Sequence, residues 1–303
     1  MSNGGGESRT NASFAKGVKP GIRDACVALA ERRSDAADRA PCKGRPRERT
    51  GGFAALAFAL TIIAATPQPI DPRKSGTHYL GESTKALQSS DAENPAMLWV
   101  QSGEALFNTQ QGETNKSCVD CHSGKERSLK GVAASYPRFD NDAKRAVNLS
   151  MRINLCRVKH QRAASYAPES RELVSLETYV AHQSRGHAIA PWRDPRMSQA
   201  FINGERTFNT RIGQLDLSCA DCHDKQAGKR LAGNVIPQAH PTAYPLYRLE
   251  WQAVGTLPRR IRNCMSGVRA EPFARGSTEM IELETYLMSR ASGMMIETPG
   301  VRP

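Results

Sequence analysis

Apolar residues recur at the three- and four-residue spacing of an amphipathic helix in four segments of the chain. The first segment, NPAMLWVQSGEALFN, begins with Asn94 as the expected cap and Pro95 at the first helical position. The apolar positions of the two opening segments are Met97, Leu98, Leu106 and Phe107, then Met197, Phe201, Ile202 and Phe208. Those of the two closing segments are Leu173, Leu176, Tyr179 and Val180, then Met280, Leu283, Tyr286 and Leu287. No run alternates strictly, so the pattern predicts an all-α fold.

These helices belong to an internal repeat. The stretch GEALFNTQQGETNKSCVDCHS from Gly103 aligns without a gap with GERTFNTRIGQLDLSCADCHD from Gly204. Further on, RINLC matches RIRNC, and LVSLETYVAHQSRG matches MIELETYLMSRASG. We therefore predict two tandem domains, residues 67–190 and 191–303, joined through the proline-containing linker HAIAPWRDPR.

Residues 1–66 are predicted to be a leader with a signal peptide. The uncharged run GFAALAFALTIIAA at 52–65 follows a basic segment and precedes TPQPIDP, which is the order of a secretory signal. A buried core helix is the alternative, but glycine, proline and charge on both flanks favour export. We expect a periplasmic protein with no membrane span in its mature form.

Composition and charge restrict the class of partner. The 303-residue chain has a net charge of +12, and the part that follows the leader stays basic. No Lys/Arg-rich stretch is interleaved with aromatic residues, which disfavours nucleic acid and favours small anions or an acidic protein. Aromatic residues make up only 6% of the chain, so a bound group could fill part of the domain centres.

The motif Cys-x-x-Cys-His, typical of covalent c-type haem, occurs once in each copy. Its residues are Cys118, Cys121 and His122 in SCVDCH, and Cys219, Cys222 and His223 in SCADCH. Two thiols would form thioethers and the adjacent histidine would bind iron, giving two haem c groups. A four-cysteine zinc site would leave both histidines unexplained, and a thioredoxin-like pair would need a βαβ context.

The two copies resemble cytochrome c domains. Gly103 with Phe107, and Gly204 with Phe208, look like the small-plus-aromatic pair at which the opening helix of that family crosses the closing helix. Glycine permits the close backbone approach that such a crossing needs.

Cysteine is the residue that repeats at the position expected for the second iron ligand. Cys156 and Cys264 end the matching RINLC and RIRNC segments, whereas Met151 has Arg259 as its counterpart. The simplest interpretation is thiolate ligation, with His122 and Cys156 on the first iron and His223 and Cys264 on the second. A disulfide between Cys156 and Cys264 is one alternative, and ligation by Met265, His160 or His240 is another.

The second copy concentrates positive charge around its unpaired cysteine. Residues 259–275 contain five arginines and one acid, namely Arg259, Arg260, Arg262, Arg269, Arg275 and Glu271. Such charge would hold Cys264 as a thiolate and attract anions, although some of these arginines could instead pair with haem propionates. A guanidinium also suits a sulfur oxyanion, so we expect chemistry on sulfur at Cys264.

From about residue 90 to about residue 293 the chain resembles the SoxA family, through both haem motifs, the paired distal cysteines and CMSGVRAEPFARG. The resemblance implies a dihaem subunit that pairs with a SoxX-type monohaem cytochrome c. It further implies an L-cysteine S-thiosulfotransferase that joins thiosulfate oxidatively to a cysteine of the carrier SoxYZ and passes electrons to haem. Cys264 would be the catalytic thiol, in the family often a persulfide, with Arg260 and Arg275 around the substrate.

Two other functions remain open from the sequence. A dihaem electron carrier would use both cysteines only to tune potential and would transfer no thiosulfate. A dihaem peroxidase would need an open iron or a displaceable ligand, which the matched cysteines disfavour.

Overall fold

Nine α-helices lie in residues 71–125, 128–191 and 194–303, which are the residues that this computed structural model describes. They are α1 (Glu82–Ser89), α2 (Met97–Asn108), α3 (Val119–His122), α4 (Leu149–Cys156), α5 (Arg171–His182), α6 (Ser198–Asn209), α7 (Cys219–His223), α8 (Leu257–Gly267) and α9 (Thr278–Arg290). All described residues belong to one compact unit, Pro67–Pro303. The predicted leader, residues 1–66, lies outside the described residues, and the boundaries 67–190 and 191–303 remain predictions.

The four predicted amphipathic helices are α2, α5, α6 and α9, and most of the apolar positions named above are buried. Asn94 caps the turn before α2, where its side-chain oxygen accepts from the amide of Ala96 at 3.0 Å. Leu98 and Ile202 are 57% and 52% exposed, so these two apolar positions do not belong to the buried face of their helices. Both residues lie on the outer face of their helix, because a different row of residues is buried. In α2 this row is Trp99, Gly103 and Phe107, and in α6 it is Ala200, Gly204 and Phe208.

Seven short strands modify the all-α prediction: the fold is mainly helical but contains small sheets. The strands are β1 (Arg138–Asp140), β2 (Arg145–Val147), β3 (Arg230–Leu231), β4 (Asn234–Val235), β5 (Leu246–Arg248), β6 (Ala253–Gly255) and β7 (Gly300–Arg302). β5 pairs antiparallel with β6 and parallel with β7, and the β1–β2 and β3–β4 pairs are antiparallel. Strands of two or three residues are too short to show an alternating pattern.

The predicted glycine crossings are confirmed in both copies. A Cβ added to Gly103 would lie 2.1 Å from the carbonyl oxygen of Ser175 in α5, and one added to Gly204 would lie 2.0 Å from that of Glu282 in α9. One turn further on, the Phe107 and Phe208 rings pack on the tyrosines of the closing helices, with centroids 5.2 Å apart in both cases. The same helix pair is therefore built twice.

We expect Gly204→Ala to lower the free energy of unfolding by about 2–3 kcal/mol, since the added methyl group must push the backbones of α6 and α9 apart. Thermal and denaturant unfolding of the haem-loaded protein measure the loss. Gly267→Ala is the matched control, because nothing lies within 4 Å of a Cβ at that helical position. Equal stability of the two variants would contradict the crossing.

A hydrogen bond to a buried carboxyl group links the two copies. The amide of Asn148, the N-cap residue of α4, donates to the Glu284 carboxyl group in α9 at 3.1 Å. Burial raises the pKa of Glu284 well above its usual value. Within the first copy, the Ser150 hydroxyl donates to the Glu177 carboxyl group in α5.

Within the described part of the chain, no helix combines the length and the apolar character needed to cross a membrane.

Candidate functional site

Each Cys-x-x-Cys-His motif lies on a short helix whose first turn is closed by a serine and an aspartate. The Ser117 amide donates to the Asp120 carboxylate at 2.8 Å, and the Asp120 amide donates to the Ser117 hydroxyl at 3.3 Å. In the second copy, Ser218 and Asp221 make the same pair of bonds at 3.0 and 3.1 Å. This reciprocal capping holds the turn that puts both thiols on one face. The Ser-x-x-Asp spacing within SCVDCH and SCADCH could have predicted this capping from the sequence.

His223, the histidine of the second motif, is oriented as an iron-bound histidine usually is. Its Nδ1 atom lies 2.7 Å from the carbonyl oxygen of Pro237 and donates to it, which leaves Nε2 as the atom able to bind a metal. Two thiols and one oriented imidazole on a single turn fit covalent haem c. The carbonyl group of Pro237 had no signal in the sequence, since any residue carries one.

The two distal cysteines are carried by equivalent helices. α4 follows β2 and is capped by Asn148, whereas α8 follows β6 and is capped by Thr256, whose hydroxyl accepts from the amide of Arg259. Cys156 is the last residue of α4, and Cys264 lies in the penultimate turn of α8. Both are partly buried.

The structure brings each distal cysteine to the haem motif of its own copy. The imidazole of His223 lies close enough to the thiol of Cys264 to lower the pKa of that thiol. Cys156 interacts electrostatically with Cys118 and Cys121. All six described cysteines are free, so the alternative disulfide between Cys156 and Cys264 is not formed.

The two distal thiols differ in acidity. Burial opposes ionisation of Cys264, but its interaction with His223 and the positive charges of Arg260 and Arg248 outweigh that effect, so the pKa of Cys264 is lowered. At Cys156 burial prevails, because the negative charge of Asp140 opposes the positive charge of Arg152, and the pKa is raised. The second copy therefore favours a thiolate at its distal position.

Of the five arginines predicted near Cys264, Arg260 is the one whose charge is among the main causes of the lowered pKa of the thiol. Arg259 stacks 4.2 Å from the centroid of the Trp251 ring, and Arg262 donates to the carbonyl oxygen of Pro272 at 3.2 Å. Arg275 is exposed in the loop between α8 and α9, and its role remains a prediction. Sequence reasoning missed Arg248, which lies on β5, outside the arginine-rich segment.

Met265, His240 and His160, the alternative iron ligands, have other contacts or are exposed. Met265 is only 5% exposed and belongs to the core cluster with Phe208 and Ile261. The Nδ1 atom of His240 lies 2.9 Å from the carbonyl oxygen of Lys74, and His160 is exposed in the π-helical turn Arg157–Gln161.

Comparison with known proteins gives a consistent result. Residues 102–189 and 203–296 match the family described as SoxA/TsdA, cytochrome c domain. The chain is 34% identical over 242 residues to the L-cysteine S-thiosulfotransferase subunit SoxA of Pseudaminobacter salicylatoxidans, covering 79% of this chain and 85% of that protein. It is 32% identical over 247 residues to the subunit of the same name from Paracoccus pantotrophus, covering 80% and 85%.

The fold also resembles a solved structure. The crystal structure of SoxXA from P. pantotrophus aligns with a TM-score of 0.73 and 31% sequence identity. The alignment covers 76% of this chain and 87% of the matched chain. Similarity therefore extends over both copies of the repeat.

Proposed function

Because the chain belongs to the SoxA/TsdA cytochrome c domain family, we propose that it is the SoxA-type subunit of a thiosulfate-oxidising L-cysteine S-thiosulfotransferase. The relatives that carry this name are matched over most of their length. The activity attributed to this chain is the oxidative joining of thiosulfate to a cysteine of a carrier protein.

A member of this family binds haem c, and here we propose two haem c groups. Cys118 and Cys121 would hold the first covalently, and Cys219 and Cys222 the second. The axial pairs would be His122 with Cys156 and His223 with Cys264. The occurrence of the motif on a capped helical turn in both copies supports this count.

One observation carries the proposal most directly: Cys264 lies beside His223 of its own haem motif and close to the positive charge of Arg260. A thiolate is the nucleophilic form of cysteine, and neighbouring cations both favour it and attract an anionic sulfur compound. The equivalent thiol in the first copy lacks this environment, since Asp140 opposes Arg152 there. We therefore attribute catalysis to the second copy.

The proposed reaction balances as follows. The Cys264 thiolate and the outer sulfur of thiosulfate form a sulfur–sulfur bond with loss of two electrons. The carrier thiolate then attacks that outer sulfur, so the thiosulfate unit passes to the carrier and Cys264 leaves as a thiolate. Haem c, when bound, supplies one-electron acceptors for the oxidation. Arg260, with Arg275 as a further candidate, would bind the oxygen atoms of the anion.

The proposed partners follow from the family. The matched solved structure is of SoxXA, which supports a heterodimer with a SoxX-type monohaem cytochrome c. The sulfur acceptor would be a SoxYZ-type carrier, and the predicted signal peptide at 52–65 would direct the chain to the periplasm.

The test is a reconstitution of the haem-loaded chain with its SoxX-type partner, a SoxYZ-type carrier and thiosulfate. We expect the intact mass of the carrier to rise by one thiosulfate unit while the haem absorption spectrum changes to that of the reduced form. Haem that can be reduced chemically, together with a carrier of unchanged mass, would leave only an electron-transfer function and would overturn the proposal.

A further inference from the structure

The strand and helix that carry the distal cysteine are repeated in detail. Both strands β1 and β5 follow a Tyr-Pro pair, in SYPRFD and AYPLYR, and each returns through a hairpin into the helix with the cysteine. In this register Asp140 and Arg248 are equivalent, as the third residue of β1 and of β5. Arg152 and Arg260 are also equivalent, four residues before their cysteines.

In the first copy this arrangement is electrically neutral. Arg152 donates to the Asp140 carboxylate at 2.8 Å, and the Asp140 side chain is only 7% exposed. The carboxylate also accepts from the backbone amides of Asp142 and Ala143, both at 2.9 Å. The arginine next to Cys156 is therefore already paired with an anion of the protein itself.

In the second copy an arginine replaces that aspartate. The Arg248 side chain is only 9% exposed, and its Nε atom is buried with no hydrogen-bond partner. Its Nη2 atom pairs with Glu250 at 2.9 Å, a residue on the solvent side with 60% exposure, and its guanidinium lies 5.2 Å from the centroid of the Trp251 ring. The carboxylate that would pair with Arg260 is absent from this position.

The guanidinium groups of Arg248 and Arg260 repel each other near the Cys264 thiol, and of the two, Glu250 pairs only with Arg248. Burial first and the charge of Arg260 second lower the pKa of Arg248, which reflects the repulsion between the two cations. A dianionic ligand with several oxygen acceptors would relieve that repulsion and satisfy the unpartnered Nε–H group. Thiosulfate has this chemistry.

We propose that Arg248 is a second anion-binding residue of the Cys264 site, which holds the oxygen atoms of thiosulfate together with Arg260 while the outer sulfur meets the thiol. The inference rests on the proposed function, because thiosulfate is its ligand. It assigns the difference between the two copies to one strand position: aspartate at 140 closes the first site to anions, and arginine at 248 opens the second.

The test compares Arg248→Gln with Arg259→Gln in the haem-loaded complex with the SoxX-type partner. Arg259 is the matched control, since it stacks on the same Trp251 ring but is not among the main causes of the lowered pKa of Cys264. We expect Arg248→Gln to raise the KM for thiosulfate roughly tenfold to a hundredfold, and Arg259→Gln to change it less than about threefold. Arg248→Lys should recover part of the loss, and Arg248→Asp, which copies the first site, should be the weakest binder.

Binding is also measured without turnover. At one thiosulfate concentration, the ligand should raise the Tm of Arg248→Gln less than that of the wild-type complex and of Arg259→Gln. The Tm of Arg248→Gln in the absence of thiosulfate reports on folding. Equal KM values and equal thiosulfate-induced Tm shifts for the two glutamine variants would overturn the inference. A wild-type complex that modifies no carrier would instead refute the proposed function itself, so the two failures are distinguishable.

Discussion

Replacing Cys264 with methionine will abolish thiosulfate-dependent modification of the carrier while the protein keeps both of its proposed haem groups. The variant removes the thiolate that forms the sulfur–sulfur bond, yet methionine can still donate a sulfur atom to iron. We expect the rate of carrier modification to fall by at least about a thousandfold. Intact mass of the carrier over time gives the rate, and the haem absorption spectrum gives the haem content.

Cys156→Met is the matched control for that experiment. It makes the same change at the equivalent position of the first copy, where burial raises the pKa of the thiol and Asp140 opposes Arg152. This variant should retain at least about a tenth of the wild-type rate, because its sulfur does not react in the proposed mechanism. Comparable losses in both variants, or a Cys264→Met protein that still turns over, would contradict the assignment of catalysis to the second copy.

Removal of either pair of motif cysteines will remove one haem and leave the other. Cys118→Ser with Cys121→Ser eliminates both thioether bonds of the first motif, and Cys219→Ser with Cys222→Ser eliminates those of the second. The denatured protein should then carry one covalent haem instead of two in each double variant. The second pair should also abolish carrier modification, since His223 and Cys264 lose the group they are proposed to bind.

Intact mass of the denatured proteins checks the haem count, because only covalently attached haem survives denaturation. The combination of all four substitutions is the internal control and should carry none. A wild-type mass with a single haem, or a double variant that still carries two, would show that the motif pairs do not each hold one group.

Much of this architecture could be read from the repeat. The helical stripes and the glycines at 103 and 204 predicted which helices cross, because a close approach needs glycine and an apolar face wherever it occurs. The short strands could not be read, since two or three residues show no period. The exposure of Leu98 was also missed, because an apolar residue beside the core stripe has the same spacing as one within it.

The candidate site was predictable where its residues are close in sequence. Cys264 and Arg260 share one helical segment, and their spacing places them on one face of α8. Arg248 comes from a strand that precedes this helix, and charge runs along the chain do not reveal a residue that the fold brings in from outside the run. The aligned SYPRFD and AYPLYR segments contained the relevant information, since the aspartate that ends one segment aligns with the arginine that ends the other.

The comparison between copies suggests how one fold serves two roles. Both copies keep the haem motif, the distal cysteine and the arginine four residues before it. They differ in the charge beside that arginine, with Asp140 bound to Arg152 in one and Arg248 near Arg260 in the other. In the proposed mechanism, this single change of sign would separate a thiol site closed to anions from one open to sulfur oxyanions.

The most direct test of the central claim is tandem mass spectrometry of the Cys264 peptide. The haem-loaded complex, oxidised and without carrier, is mixed with thiosulfate and quenched. Our account predicts that Cys264 gains the mass of one thiosulfate unit and loses it again when the carrier is added. An unmodified Cys264 in a complex that does modify its carrier, or equal labelling of Cys156, would contradict it.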